Sequence, residues 1–220
     1  MFAHLAPVEG KDVRLTKDNL VNPATLAEAL YDVLIYHRAI RMAPFVEMIT
    51  HSATVNHGGG LRKERERVFA NPCHWAQAGF AALAGARPVA IEVRSNKETA
   101  PMVLPKLRSA VTQCSYDEID ALAALADGGD LLLSIVHRGA FRPVLHVSVQ
   151  IDGFSPGPKA DVYLLSADVP WATNTLQSPK AVEPRQLSRE VRDGRLTLDV
   201  QPFTWLRVRI PRARGPQAGE

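Results

Sequence analysis

Residues 42–50 read Met-Ala-Pro-Phe-Val-Glu-Met-Ile-Thr, a short apolar run with a helix signal on either side, and nothing else limits the chain so strongly. Upstream, Asn22-Pro23 places a good N-cap before a proline tolerated at the first helical position. Leu26, Leu30, Val33, Leu34, His37 and Ile40 then recur at spacings of three and four, which predicts one face of a helix running to about Ala39. Downstream, Asn71-Pro72 repeats the signal, and Trp75, Ala78, Gly79, Ala82, Leu83 and Ala86 continue a helical face until Gly85 offers a stop. The run at 42–50 is expected to be a buried strand whose start tolerates Pro44. Helix, strand, helix is a piece of an alternating α/β architecture. One buried strand cannot satisfy its own backbone edges, so this piece requires neighbouring strands.

From Arg87 onward the pattern changes. Runs at 89–93, 131–137, 144–151, 161–165, 196–200 and 204–210 are rich in Val, Leu and Ile, and turn clusters at 127–130, 152–158 and Asp193-Gly194 separate them. Leu145, Val147 and Val149 alternate with His146, Ser148 and Gln150, the period of a half-buried antiparallel strand. Residues 119–126 have helix-favouring composition. The Asp-Gly-Gly-Asp turn that leads from them into the next strand argues for a hairpin instead, and they are read as a strand. The fold class expected is therefore mixed: an antiparallel β-sandwich preceded by an incomplete α/β segment.

Composition narrows the function classes. The 220 residues carry 26 Lys and Arg against 23 Asp and Glu, a net charge of +3 spread along the chain, so no basic block supports a nucleic-acid partner. The alternating signs over 61–67 read as a solvated surface with internal ion pairs. No apolar run approaches the roughly 18 residues of a membrane span. Met1-Phe2-Ala3-His4 has neither the basic nor the apolar region of a signal peptide, and a cytoplasmic location is the expectation. Cys73 and Cys114 are far apart and lack metal-ligand spacing, so both are read as buried thiols. The seven histidines are scattered, and His51 with His57 lacks a third ligand, so neither a metal nor another cofactor is expected. The glycines at 58–60 are not followed by Gly-Lys-Ser/Thr, which excludes a phosphate loop. No Gly-x-Ser-x-Gly elbow supports serine catalysis.

Four stretches in order resemble the C-terminal part of the α-L-arabinofuranosidases of glycoside hydrolase family 51. Asn-Pro-Ala-Thr-Leu-Ala-Glu-Ala-Leu-Tyr-Asp at 22–32 is similar to the helix after the family's seventh barrel strand. The run at 42–49 with Val-Asn-His-Gly-Gly-Gly at 55–60 looks like the eighth strand and its loop. Residues 171–184, with Asn174, Pro179, Val182 and Pro184, resemble a segment of the family's sandwich, and 203–208 its closing strand. The resemblance implies residues 1–86 as the remnant of a (β/α)8 barrel, 87–213 as the C-terminal β-sandwich and 214–220 as a tail. It implies release of terminal α-L-arabinofuranosyl groups from arabinose-containing oligosaccharides or polysaccharides, by a retaining mechanism with two carboxyl groups about 5–5.5 Å apart.

Neither of the family's catalytic contexts, an Asn-Glu pair and a Glu-Trp-Asn, occurs where it is needed, and Glu9 lacks the strand context to replace them. The isolated chain is therefore expected to be inactive and, with a strand edge unpaired, to self-associate. Glu47 stands where the family places a glutamine that hydrogen-bonds the arabinose. Thr50, His51, Asn56 and His57 share that strand end and loop, where barrel sites are built, and are the remaining candidate sugar contacts. A carboxylate paired with Arg41 or Arg62 is the competing account of Glu47. Trp171 and Trp205 are read as core, over a role as stacking platforms for sugar. A non-catalytic sandwich that binds carbohydrate or a partner subunit is the alternative function.

Overall fold

A computed structural model describes residues 24–51, 54–56, 60–101, 113–139 and 144–213. Helix α1 spans Leu26–Arg41 and is capped by Thr25, whose side chain accepts from the Glu28 N–H. The expected cap at Asn22 lies outside the described residues. Two N–H groups of its first turn, which have no partner inside a helix, are taken by a later loop: Leu26 donates to the Ala172 carbonyl at 2.9 Å and Ala27 to Pro170 at 2.8 Å. A hairpin follows, β1 (Leu61–Glu64) with β2 (Arg67–Ala70), where the alternating charges had suggested only a solvated surface. Helix α2, Pro72–Phe80, starts as expected, with Asn71 accepting from the Cys73 and His74 N–H groups and proline at its first position. Of the expected face, Gly79 and Leu83 are buried while Ala78 and Ala82 are exposed and Trp75 and Ala86 only partly covered. The rest of the buried face of α2 is Pro72, Cys73 and Ala76, and a 3-10 turn, Ala81–Leu83, precedes Gly85 at positive φ.

The rest is mainly antiparallel sheet. Strand β3 covers Arg87–Val89, β4 Lys97–Pro101, β5 Gln113–Asp117, β6 Ile119–Leu125, β7 Leu131–His137, β8 Leu145–Gln150, β9 Lys159–Ser166, β10 Arg185–Arg192, β11 Arg195–Val200 and β12 Thr204–Ile210. Eight of them form one sheet in the order β3-β6-β7-β12-β9-β10-β11-β8, and β4 pairs with β5 separately. The ambiguous 119–126 is a strand, paired with β7 in register from Ile119↔His137 to Leu125↔Leu131. The 89–93 run is strand only at its start, and β10, whose sequence is strongly charged, was not anticipated.

One face of the whole sheet converges on a single apolar cluster that includes Ala121, Leu133, Val162, Leu196, Leu198 and Val208, with Val147 and Val149 of β8 packed against it. Strands at opposite ends of the order share that cluster, so the sheet is curled, as in a sandwich. A cleft of about 1090 Å³ lies between its two ends, reached by both 89–96 and 145–151. The outer face carries the helices. Leu26, Ala29, Leu30 and Val33 of α1 and Cys73 and Ala76 of α2 pack with Val136, Tyr163, Leu165 and Trp205. This explains why every residue of β7 is buried: core lies on one side and helix on the other. No helix among the described residues is long and apolar enough to cross a membrane.

Gly79 lets α2 approach that face. A Cβ there would lie 2.7 Å from Tyr163 Cε1 and 2.8 Å from Trp205 Cη2, both rigid ring atoms. The Gly79 carbonyl accepts from Arg207 Nη1 at 3.1 Å, and Tyr163 Oη donates to the Trp75 carbonyl at 2.8 Å. Gly79→Ala gains at most about 1 kcal/mol of helix propensity, against about 1–3 kcal/mol for overpacking a filled site. A net loss of stability is expected in urea unfolding, and a variant as stable as the wild type would contradict this close approach.

Candidate functional site

The candidate sugar-facing residues follow directly on α1. Residues 42–45 form a turn, with Phe45 N–H donating to the Met42 carbonyl at 2.8 Å, and 46–51 run on without strand pairing. This corrects the expected buried strand at 42–50. A strand exists only where a neighbour supplies N–H and C=O groups, and no described strand lies beside this segment. Its apolar side chains are correspondingly open, Phe45 83% exposed and Met48 78%.

Glu47 and Thr50 are exposed on it. Arg41, one of the two arginines expected to pair with Glu47, instead grips Asp120 through both guanidinium nitrogens at 3.1 and 3.0 Å and the Ala121 carbonyl at 2.6 Å. Asn56 is in the left-handed region, φ 59°. Its Oδ1 accepts from the Lys63 N–H at 2.7 Å and its own N–H donates to Leu61, so it holds the loop before β1. His57 lies outside the described residues.

His51 is the candidate that the structure ties in most closely. It is half-buried, with Nδ1 2.6 Å from Gln77 Nε2 on α2 and 3.6 Å from Asp32 Oδ2 on α1. Helical spacing of four stacks Glu28, Asp32 and Tyr36 along α1, and Cys73 and Gln77 face them from α2. Sequence reasoning missed this cluster, because Asp32 and Gln77 are polar residues in helices and gave no sign of burial. Asp32 is only 6% exposed. Burial first, then the charge of Glu28, pushes its carboxyl up to about 7, against a hydrogen bond from Cys73 that acts the other way. Burial and the nearby carboxylates push the Cys73 thiol up, so it is not a reactive thiolate. It is buried and free, as expected, while the Cys114 side chain lies outside the described residues.

The fold also assembles an Asp–His–Ser chain. Asp120 Oδ1 lies 2.6 Å from His37 Nδ1, and His37 Nε2 lies 2.6 Å from Ser134 Oγ, which accepts from Trp205 Nε1 at 2.8 Å. Burial lowers the His37 pKa and keeps the ring neutral. Burial also acts to raise Asp120, but the hydrogen bonds and charges of His37 and Arg41 outweigh it and hold the carboxyl at about 2. A neutral ring then donates from Nδ1 to Asp120 and accepts at Nε2 from the Ser134 hydroxyl. His37 and Ser134 are completely buried and the serine oxygen is already held by Trp205, so no substrate reaches it. The chain is structural, despite its likeness to a nucleophile with its base. Trp205 is core, fully buried, whereas Trp171 is 63% exposed, which corrects its reading as core. It stands in the loop bonded to the start of α1, where the helix end fixes the backbone and leaves the ring outside.

The Asp32 carboxyl makes stability depend on pH. It ionises near 4 in the unfolded chain and near 7 in the folded one, so its favourable contribution is complete below about pH 4 and lost as pH rises through 7. Asp32→Asn removes this titration. The stability of the variant relative to the wild type should grow from pH 4 to 7 and then level off, by on the order of 2–4 kcal/mol. His37, whose burial acts in the opposite sense, is common to both proteins and cancels in the difference. Urea unfolding at pH 5 and 8 measures it, and an equal difference at both would contradict the burial of this carboxyl.

Comparison with known proteins places this geometry. Residues 7–204 match the family model of the α-L-arabinofuranosidase C-terminal domain. Among solved structures, a family 51 arabinofuranosidase from Xanthomonas axonopodis pv. citri superposes with a TM-score of 0.72 at 17% identity, over 85% of this chain and 36% of that one. An α-L-arabinofuranosidase from Thermotoga maritima, solved as an arabinose complex, gives 0.72 at 20% identity, over 89% and 40%. A family 51 α-L-arabinofuranosidase from Bifidobacterium longum gives 0.72 at 21%, over 87% and 36%. The chain thus spans well under half the length of these enzymes, and at such identities they establish its fold. No curated protein matches the chain in sequence. With a family model matched over most of its length and the curled sheet carrying two helices on its outer face, the chain belongs to the α-L-arabinofuranosidase C-terminal domain family.

Proposed function

We propose that this chain serves as the C-terminal part of an α-L-arabinofuranosidase releasing terminal α-L-arabinofuranosyl groups from arabinose-containing glycans, with both catalytic carboxyl groups supplied from outside these 220 residues. The observation that carries the reading is the exposed apolar segment after α1. Phe45, Met48 and Ile49 are all open, in a sequence suited to a buried strand, and strands of a barrel would cover their side chains and satisfy their backbone. In this reading α1, residues 46–51 and α2 are the closing helix, strand and helix of that barrel, and the boundary falls at residue 86. Two features support this division: β3 from Arg87 is the first strand of the eight-stranded sheet, and the β1–β2 hairpin stands outside it.

Glu47, Thr50 and His51 then lie towards the strand end where barrel sites are built, with the loop of Asn56 and His57 beside them. They bind sugar only when the barrel is whole. The chain alone is expected to release no nitrophenol from 4-nitrophenyl α-L-arabinofuranoside above the buffer rate. Turnover abolished by Glu47→Gln or Glu9→Gln would overturn the assignment of the catalytic groups to another part of the enzyme.

Exposed Trp171 favours a second reading, a non-catalytic module that stacks carbohydrate on an aromatic face. The two readings separate in a fluorescence titration with an arabino-oligosaccharide. The primary reading expects no saturable change for the isolated chain, and a saturable change lost in Trp171→Ala would replace it with the binding module.

A further inference from the structure

Asp32 carries a feature of the α1–α2 interface that packing leaves unexplained. Its Oδ2 is buried and makes no hydrogen bond. An orphaned carboxylate oxygen is costly, and a hydrophobic or amide side chain would fill the same space without that cost. The oxygen faces His51 Nδ1 at 3.6 Å, within ion-pair range, and Gln77 Nε2 meets the same ring nitrogen at 2.6 Å. Two residues from two different helices thus converge on one nitrogen of a histidine that belongs to neither helix. We infer that Asp32 and Gln77 are positioning residues for His51: Gln77 fixes the ring with its proton on Nε2, and Asp32 exchanges a proton with Nδ1, so that Nε2 presents an N–H outward while the charge of the ring follows Asp32.

The proton balance is simple. With the Gln77 amide donating to Nδ1, the neutral ring carries its proton on Nε2, which is turned away from both partners and offers an N–H to a hydroxyl oxygen. Transfer of the Asp32 proton to Nδ1 leaves a carboxylate and an imidazolium at ion-pair distance and turns the Gln77 amide so that its oxygen accepts. The other groups facing the pair bear on this exchange. Glu28 disfavours a second negative charge on Asp32, the neutral Tyr36 and Cys73 add none, and Arg62 acts on Cys73 from β1. The position of Asp32 near 7 brings its titration into the range of an imidazole. Presentation of Nε2 to a sugar hydroxyl rests on the function proposed above, whereas the pairing itself does not.

NMR of the 220-residue chain with labelled histidine tests it. The ring 15N shifts of His51 are expected to show an unprotonated Nδ1 at pH 8, and Gln77→Leu to shift the tautomer populations. Asp32→Asn should lower the His51 pKa by about half a unit or more, since it removes the carboxylate that stabilises the imidazolium. In the reciprocal variant, His51→Gln, the Asp32 13Cγ titration should move as well. A His51 titration unchanged by Asp32→Asn, or an Asp32 titration unchanged by His51→Gln, would overturn the inference. These readouts need no turnover, so a failed glycosidase assignment leaves the pair standing, and a failed titration removes the pair alone.

Discussion

The indole N–H of Trp205 reaching the Ser134 hydroxyl is the contact on which the rest of this structure hangs. Through it, two central strands, β12 and β7, are joined to His37 of α1, and through His37 to Asp120 of β6 and Arg41 at the end of the helix. Each member fills the hydrogen-bonding capacity of the next, which is the condition under which a buried polar chain gives specificity instead of strain. The helix cannot slide along the sheet without orphaning several of these groups. The indole ring also forms part of the floor on which α2 rests, with Gly79 as the point of closest approach. One tryptophan therefore fixes both helices on the sheet.

Away from that centre, two segments with unpaired edges lie at the margins. Residues 46–51 leave α1 without a strand partner among the described residues, and 89–96 leave β3 along the cleft between the two ends of the curled sheet. Both carry exposed aliphatic side chains in strand-like sequence, Ile49 in the first and Ile91 and Val93 in the second. Backbone groups and apolar side chains left open in this way suit addition of further strands. The reading of the chain as one portion of a larger glycosidase rests on that physical incompleteness as much as on its membership of the family. His51 stands where the first of these margins meets the helices, held by Asp32 and Gln77.

Much of the fold was legible because local patterns dominate it. The 3.6-residue spacing of Leu26, Leu30, Val33 and His37, the Asn71-Pro72 start, the Asp-Gly-Gly-Asp hairpin and the alternation in β8 all survive unchanged in the structure. The misses have physical reasons. Strand β10 reads Arg-Gln-Leu-Ser-Arg-Glu-Val-Arg and shows little apolar period, because most of it faces solvent while its backbone pairs with β9. The run at 42–50 has the composition of a strand but not the partner that makes one. Trp171 and Trp205 occur in comparable company, yet one is exposed and the other fully buried, a difference set by which loop or strand face the chain puts each on.

The candidate site shows the same division more sharply. By itself the sequence determined the apolar face of α1, the Asn71-Pro72 start of α2, the hairpin at 119–137, the alternation of β8, that Cys73 is a buried thiol, and which family the chain resembles, since these follow from short-range spacing and motif order. Only the tertiary structure decided that Asp32 is buried beside His51, that Gln77 holds that ring, and that Asp120, His37 and Ser134 form a chain closed to any substrate. Asp120 lies 83 residues from His37 and Ser134 lies 97. No periodicity spans such distances, and the burial that raises the Asp32 carboxyl and keeps His37 neutral is a property of the packed chain.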